Sequence, residues 1–386
     1  MVEISSSSNK ELLAIVIVGY NRVDGIKRLV SSLKDAHYDG QLVPLVISID
    51  ASGNEELYNY VYQVEWEHGE KYVFIQSERL GLKKHIFKCA EFVKYFKGII
   101  MLEDDLYLSK EYYRFAQSCL NYYSDDDSVA EISLYVNSFN AETKYPFVPL
   151  NNGSDVFAWQ EVASWGQVWN ERMWSGFRRW LDTWDGDFGP IDMMPYIKEW
   201  DKAWSKYFFA YLISTNRFTV FPYISHSTNF NDGGGVHGGT SNAIFQVPLL
   251  SGKKCYNFLP SEELVKYDVY QQNIALYEKL CKSPQELTLD LYGTKQKYKD
   301  YLLSIKLLPY KVERSYALQL RPIELNVFRN IEGHGIYLYN LKEKAKAPQA
   351  SAHMLQSFYY STVSLKSISF FIASSILSKV SKLFKH

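Results

Sequence analysis

The chain has 386 residues, enough for one large domain with additions or for two domains. A formal net charge of −1 leaves no global field to gather nucleic acid, which excludes a general nucleic-acid binder. The four cysteines (Cys89, Cys119, Cys255 and Cys281) lie far apart with no CxxC pair, arguing against a zinc site or disulfide framework and for a reducing compartment.

The stretch "MVEISSSSNKELLAIVIVGYNR" lacks the basic start and apolar core of a signal peptide. No stretch supplies the ~18 consecutive apolar residues of a spanning helix, so a cytoplasmic protein is expected. Residues 1–10 are polar and expected to fray. "LLAIVIVG" (12–19) is a continuous apolar run ending in Gly19, the pattern of a buried parallel strand. Ile26, Leu29, Val30 and Leu33 then recur at helical spacing, with Asp24 as the expected N-cap and Gly40 past the end. "LVPLVISID" (42–50) is a second strand ending in an acid, and "YVFIQSE" (72–78) a third. "LGLKKHIFKCAEFVKYF" (80–96) is a helix, and "GIIMLEDD" (98–105) the fourth strand. A helix over 109–123 is expected to be capped by Ser109.

Strands alternating with helices predict a mostly parallel α/β sheet with ligands at the carboxyl ends of its strands. Tyr20, Asn21, Arg22, Asp50, Arg79 and the acids Glu103, Asp104 and Asp105 all fall at such ends. "VGYNRVDG" lacks G-x-G-x-x-G, and the chain has no G-x-x-x-x-G-K-[ST], so dinucleotide binding and a P-loop are set aside.

Three adjacent acids at the mouth of an apolar strand repel one another and resist desolvation. Two readings fit: a divalent cation such as Mg²⁺ or Mn²⁺ with substrate diphosphate, or a solvated turn before the next helix. Asp50 either accepts from a ribose hydroxyl or base N–H, or closes an Asx-turn with Ser52 and Gly53. Arg79, Lys83, Lys84 and His85 stand near a helix start, where cations reach a diphosphate or line a solvated face. "NDGGGVHGG" (231–239) reads as a lid carrying His237, or as a surface loop. With 31 Tyr and 9 Trp, the aromatic content fits sugar platforms or an aromatic core; most Trp are expected in the core. Residues 363–386 carry Leu365, Ile368, Ile372, Ile376, Val380 and Leu383 near helical spacing, with Lys366, Lys379, Lys382 and Lys385. That is a basic amphipathic helix, suited to an anionic membrane surface or to docking on protein.

Together "GYNR", the acid-ended second strand, "LGLKKH", "MLEDDL", "SWGQVW", "EWDKAW" and "GGGVHGG" resemble nucleotide-sugar glycosyltransferases of the GT-A fold. The resemblance is to the N-acetylglucosaminyltransferase I type and its bacterial relatives, and it covers roughly residues 12–240. It implies a domain over 11–258 (nucleotide-sugar half 11–123, acceptor half 124–258), followed by an extension over 259–362. It implies Asp105 as the ligand of Mn²⁺ or Mg²⁺, supported by Glu103 and Asp104, with Asp104 near the sugar or ribose. Asp50 would hold uracil or ribose; Arg22 and His85 would line the nucleotide site. Asp201 would be the catalytic base of an inverting transfer, with Glu199 or Asp187 as substitutes, because Lys202 replaces the second acid of a W-D-D-W-like stretch. The implied partners are a UDP-sugar, a glycan or lipid-linked acceptor and the inner face of a bacterial membrane, with no nucleic acid. A sugar nucleotidyltransferase and a sugar-binding protein on a degenerate transferase fold are the rival classes.

Overall fold

The computed structural model describes residues 9–201, 203–230, 244–350, 354–361 and 363–383, excepting side chains at 365, 371, 375 and 378–383. The chain forms two compact units, one of residues up to 138 with 149–274, the other of 139–148 with 275 onward.

Unit 1 begins with the expected alternation. Its elements are β1 (Leu13–Gly19), α1 (Val23–Lys34), β2 (Leu45–Ile49), α2 (Glu55–Gln63), β3 (Lys71–Ile75), α3 (Leu82–Ala90) and β4 (Gly98–Glu103). They continue as β5 (Leu106–Leu108), α4 (Tyr112–Tyr123), β6 (Val129–Ser133), β7 (Val156–Trp159), β8 (Gln167–Trp169) and α5 (Glu171–Thr183). Then come α6 (Pro195–Lys198), α7 (Ser205–Ser214), β9 (Phe218–Pro222), β10 (Ser227–Asn229) and β11 (Lys266–Tyr267). Nine strands form one sheet in the order β11-β7-β9-β6-β8-β4-β1-β2-β3. β1 pairs in parallel with both β2 and β4, while β8 runs antiparallel between β4 and β6. Every residue of β1 is buried, as a strand covered on both faces requires. α1, α3, α4 and α5 turn their buried faces to this core.

Two helix starts differ from expectation. The N-cap of α1 is Arg22, with Asp24 inside the first turn, and that of α4 is Glu111. The Ser109 hydroxyl instead lies 3.1 Å from Nδ1 of buried His226, so it bonds within the core rather than capping.

Unit 2 holds α8 (Leu276–Lys279), β12 (Leu287–Asp290), β13 (Tyr301–Ser304), β14 (Tyr310–Ala317), α9 (Leu325–Phe328), β15 (Gly335–Lys344), α10 (Met354–Tyr360) and α11 (Leu365–Leu383). Its sheet has the order β12-β13-β15-β14. Leu287, Leu289, Leu303, Ile336 and Leu338 fill one core, and Leu302, Tyr337 and Tyr339 form another. In unit 1, Trp159, Trp169, Trp174 and Trp204 are fully buried and Trp66, Trp165, Trp180, Trp184 and Trp200 pack partly buried against the core, so most of the tryptophan signal is core packing.

Candidate functional site

The order β3-β2-β1-β4 places a topological switch point at the carboxyl ends of β1 and β4, because the chain moves outward from β1 before returning to its other side. Crevices at such reversals are where open α/β sheets bind ligands. The segment Tyr20–Arg22 leaves β1 there, and Glu103–Asp105 leaves β4.

Arg22 answers part of the electrostatic problem posed by the acids. Its guanidinium is ion-paired to Asp104, and its Nη1 lies 3.4 Å from Asp105 Oδ2. Burial works against the Arg22 charge, but Asp104 and Asp105 outweigh it and hold the group more firmly protonated than usual. Asp104 also accepts from the Tyr20 backbone N–H. It is 4% exposed, and its carboxylate is engaged by Arg22 and the Tyr20 N–H. Burial pushes Asp104 up to about 6 despite Arg22. Burial also pushes Glu103 up to about 8, with the charges of Asp105 and Asp104 adding to it. One guanidinium thus faces three carboxyl groups, and the deficit is in positive charge.

Asp105 shows where that deficit is sharpest. Its Oδ1 is buried and has no hydrogen-bond partner among the described residues. An orphaned carboxylate oxygen among neighbouring acids at a strand end fits a hard divalent cation. Among the described residues, no group of three His, Cys, Asp or Glu side chains could hold a metal alone. A cation here would need further oxygen ligands from substrate or water, as Mg²⁺ and Mn²⁺ in phosphate sites do.

No family model and no curated protein matches the chain. Solved structures do. One is the mannosyltransferase PcManGT from Pyrobaculum calidifontis in complex with GDP-Man and Mn²⁺, at 13% identity and TM-score 0.33, covering 46% of this chain and 48% of that one. S. aureus TarS 1–349 in complex with UDP-GlcNAc matches at 12% identity and TM-score 0.37, covering 56% and 57%. GalNAc-T7 with UDP, GalNAc and Mn²⁺ matches at 15% identity and TM-score 0.38, covering 55% and 43%. The aligned part is less than two thirds of each of these chains. Likeness of this size carries no argument about activity.

The other expected site residues divide. Arg79 stacks its guanidinium 4.6 Å over the half-exposed Tyr20 ring, beside the β1 end. Asn21 Oδ1 accepts from Asn54 Nδ2 at 2.7 Å, tying the β1 turn to the start of α2. Lys83 lies 3.6 Å over Tyr207, so it packs on α7. Asp50, expected to meet ribose or base, is 3% exposed and accepts from the N–H groups of Ala51, Leu80 and Gly81 at 2.8–2.9 Å. It fastens the loop entering α3, where Gly81 adopts φ +76°. Three donors to Asp50 thus come from the chain itself.

His85 packs against β2. It is 2% exposed, with Nε2 2.7 Å from Ser48 Oγ under the sheet, and burial pushes it down to about 4. Its neutral form is the one the fold accepts, so stability is lost as pH falls below the unfolded value near 6.5. Relative to a His85→Gln variant, the wild type should lose about 2 kcal/mol between pH 7 and pH 5, read by urea unfolding at both pH values.

Glu199, Asp201 and Asp187 are exposed near α6, and Asp187 accepts from the Gly189 N–H at 2.7 Å. Among the described residues, none of the three bonds to the acidic triplet. His237, the loop 231–239 and Lys202 lie outside the described residues.

Three features were not expected from sequence. Ser164 hydrogen-bonds Glu103, bringing the β7–β8 connection to the triplet. β10 pairs antiparallel with β5, and Phe230 N–H donates to the Asp105 carbonyl at 2.9 Å, so the chain entering the glycine-rich loop starts beside the acids. Gly25 is the third. A Cβ there would sit 2.4 Å from the Asp104 carbonyl oxygen, so α1 seats against the acids only because residue 25 has no side chain. Gly25→Ala should displace Asp104 and its neighbours, and a shift of even 1 Å can cost on the order of 100-fold in rate. A fall in turnover with retained far-UV circular dichroism is the expected result.

Proposed function

We propose that the protein is a metal-dependent glycosyltransferase of the GT-A type, taking a sugar from a nucleotide-diphosphate donor, UDP by preference, to an acceptor hydroxyl. The observation that carries this reading is the orphaned Asp105 Oδ1, among more carboxyl groups than cations, at the β1/β4 switch point. Asp105 would hold Mn²⁺ or Mg²⁺, which when bound supplies positive charge against a departing diphosphate. Arg22 holds Asp104 and keeps the acidic segment in register. Tyr20 and Arg79 offer a stacked surface to the nucleoside. An inverting transfer needs a carboxylate to take the proton of the acceptor hydroxyl, and we assign it to Asp201, with Glu199 and Asp187 as alternatives.

The acceptor is proposed to be a glycan or a lipid-linked sugar at the inner face of a bacterial membrane. No described helix is long and apolar enough to cross a membrane. α11 nevertheless leaves Ile368, Phe370, Ile372, Ile376 and Leu377 exposed, at 42–71%. Apolar exposure of this kind beside Lys366 suits an interfacial helix. Deleting residues 363–386 should move the protein from anionic vesicles to the supernatant in a flotation assay; unchanged partitioning would reject the membrane role.

The activity itself is tested by incubating the protein with Mn²⁺ and a panel of UDP- and GDP-sugars. Release of nucleoside diphosphate supports transfer. Release of pyrophosphate from sugar phosphate and nucleoside triphosphate would support a nucleotidyltransferase instead, and no turnover with any donor would favour a binding protein.

A further inference from the structure

α1 turns one seam toward the ribbon that carries the acids. Arg22 at its N-cap, then Gly25, Arg28 and Ser32, recur at three- and four-residue spacing and share a helix face. Gly25 seats the helix against the Asp104 carbonyl, and Ser32 Oγ accepts from the Leu108 N–H at 3.3 Å. α1 therefore runs alongside β5, from the acids at one end to Leu108 at the other. Arg28 stands between these two contacts. Its guanidinium lies 4.0 Å over the ring of Phe230, the residue that follows β10. The Tyr107 ring of β5 flanks the same phenyl group, with centroids 6.1 Å apart. Arg28 is half-buried, where a cation over an aromatic face is held more firmly than in open water.

Phe230 passes that restraint to the acids. Its N–H donates to the Asp105 carbonyl at 2.9 Å, which extends the β5–β10 pairing one residue beyond Asn229 and Leu106. The bond matters because little else aims the Asp105 side chain. Oδ1 has no hydrogen-bond partner among the described residues, and Arg22 Nη1 stands at the long distance of 3.4 Å from Oδ2. Arg22 and the Tyr20 N–H hold the preceding carboxylate, that of Asp104, more closely. The direction of the Asp105 carboxylate is therefore set largely by its backbone, and Phe230 fastens that backbone.

We infer that Arg28 is a positioning residue for the acidic site: its stack on Phe230 keeps the Phe230–Asp105 backbone bond closed and so aims the Asp105 carboxylate. α1 then supports the acids with two arginines in different ways, Arg22 by charge on the carboxylates and Arg28 through the neighbouring strand. The inference rests on the reading of Asp105 as a cation ligand, whereas the stack itself does not.

Two measurements on the full chain test it: hydrogen exchange at the Phe230 amide without metal, and an electron paramagnetic resonance titration of Mn²⁺ in the presence of UDP. Arg28→Met should speed exchange at that amide about fivefold or more and weaken Mn²⁺ uptake by about as much, with the β1 amides unchanged. On charge alone the uptake would tighten, because a nearby cation repels another, so weaker uptake reads position rather than charge. Arg28→Lys, which keeps a cation over the ring, should recover part of both effects. Phe230→Leu should weaken uptake by a similar factor, and the double variant should be no weaker than either single one, since both changes break one contact. Lys27→Met, one position away and paired with Glu56, should change neither reading. Absence of UDP-dependent uptake in the wild type would overturn the donor-site reading and this inference with it. Normal uptake in the wild type that Arg28→Met leaves unchanged or tightens would overturn this inference alone. So would losses that multiply in the double variant, or faster exchange at the β1 amides, which would mean that α1 had simply come loose.

Discussion

Sugar transfer by an Asp105→Asn variant should fall by at least about 100-fold while the protein stays folded. Asn preserves the shape of the side chain and the backbone contact from Phe230, so packing is not what changes. It removes the charge and one hard oxygen at the atom that has no partner in the chain. If Oδ1 meets a cation in the working enzyme, Asn cannot replace it. Thermal melting without metal should be equal or slightly higher in the variant, because one of three mutually repelling acids is gone. Full activity in the variant would reject Asp105 as the ligand.

The second large effect is expected at Arg22. Arg22→Met keeps much of the apolar stem but removes the cation that Asp104 and Asp105 share. Asp104 is nearly buried, and stripping the partner from a buried charge costs several kcal/mol, against about 1 kcal/mol or less at an exposed pair. Arg22 keeps 22% of its side chain exposed, so a loss of about 2 kcal/mol and a melting temperature lower by several degrees are expected. Added Mn²⁺ should then raise the melting temperature of Arg22→Met more than that of wild type, since the cation supplies the missing charge. Equal shifts in both proteins would mean that the cation does not act where Arg22 does.

Much of unit 1 was legible because buried parallel strands are written as unbroken apolar runs. Leu13–Gly19 and Gly98–Glu103 could hardly be anything else. The acids were legible for the complementary reason, since charge at the end of such a run demands compensation. Which cation compensates was not legible, because Arg22 lies more than 80 positions away in sequence and meets Asp104 only through the β1–β4 pairing. The place of Asp50 at a strand end puts it on the rim, and the family resemblance puts His85 along the nucleotide site. Their environments depend on tertiary closure: Leu80 and Gly81 fold back onto Asp50, and Ser48 faces His85 beneath the sheet. The second half of the sheet was obscure for another reason. β7 and β8 have four and three residues, too short for periodicity to declare them, and they pair out of chain order. The polar, tyrosine-rich stretch beyond 260 concealed a four-stranded sheet, because Tyr337 and Tyr339 do there the packing that aliphatic residues do in β1.

The central claim is that Glu103–Asp105 is one wall of a metal–diphosphate site. Its most direct test is an electron paramagnetic resonance titration of free Mn²⁺ against the protein, with and without UDP, since bound Mn²⁺ leaves the free-ion signal. The wild type should take up Mn²⁺ far more tightly when UDP is present, and Asp105→Asn should lose that uptake. Uptake that is independent of UDP, or equal in the two proteins, would contradict the claim.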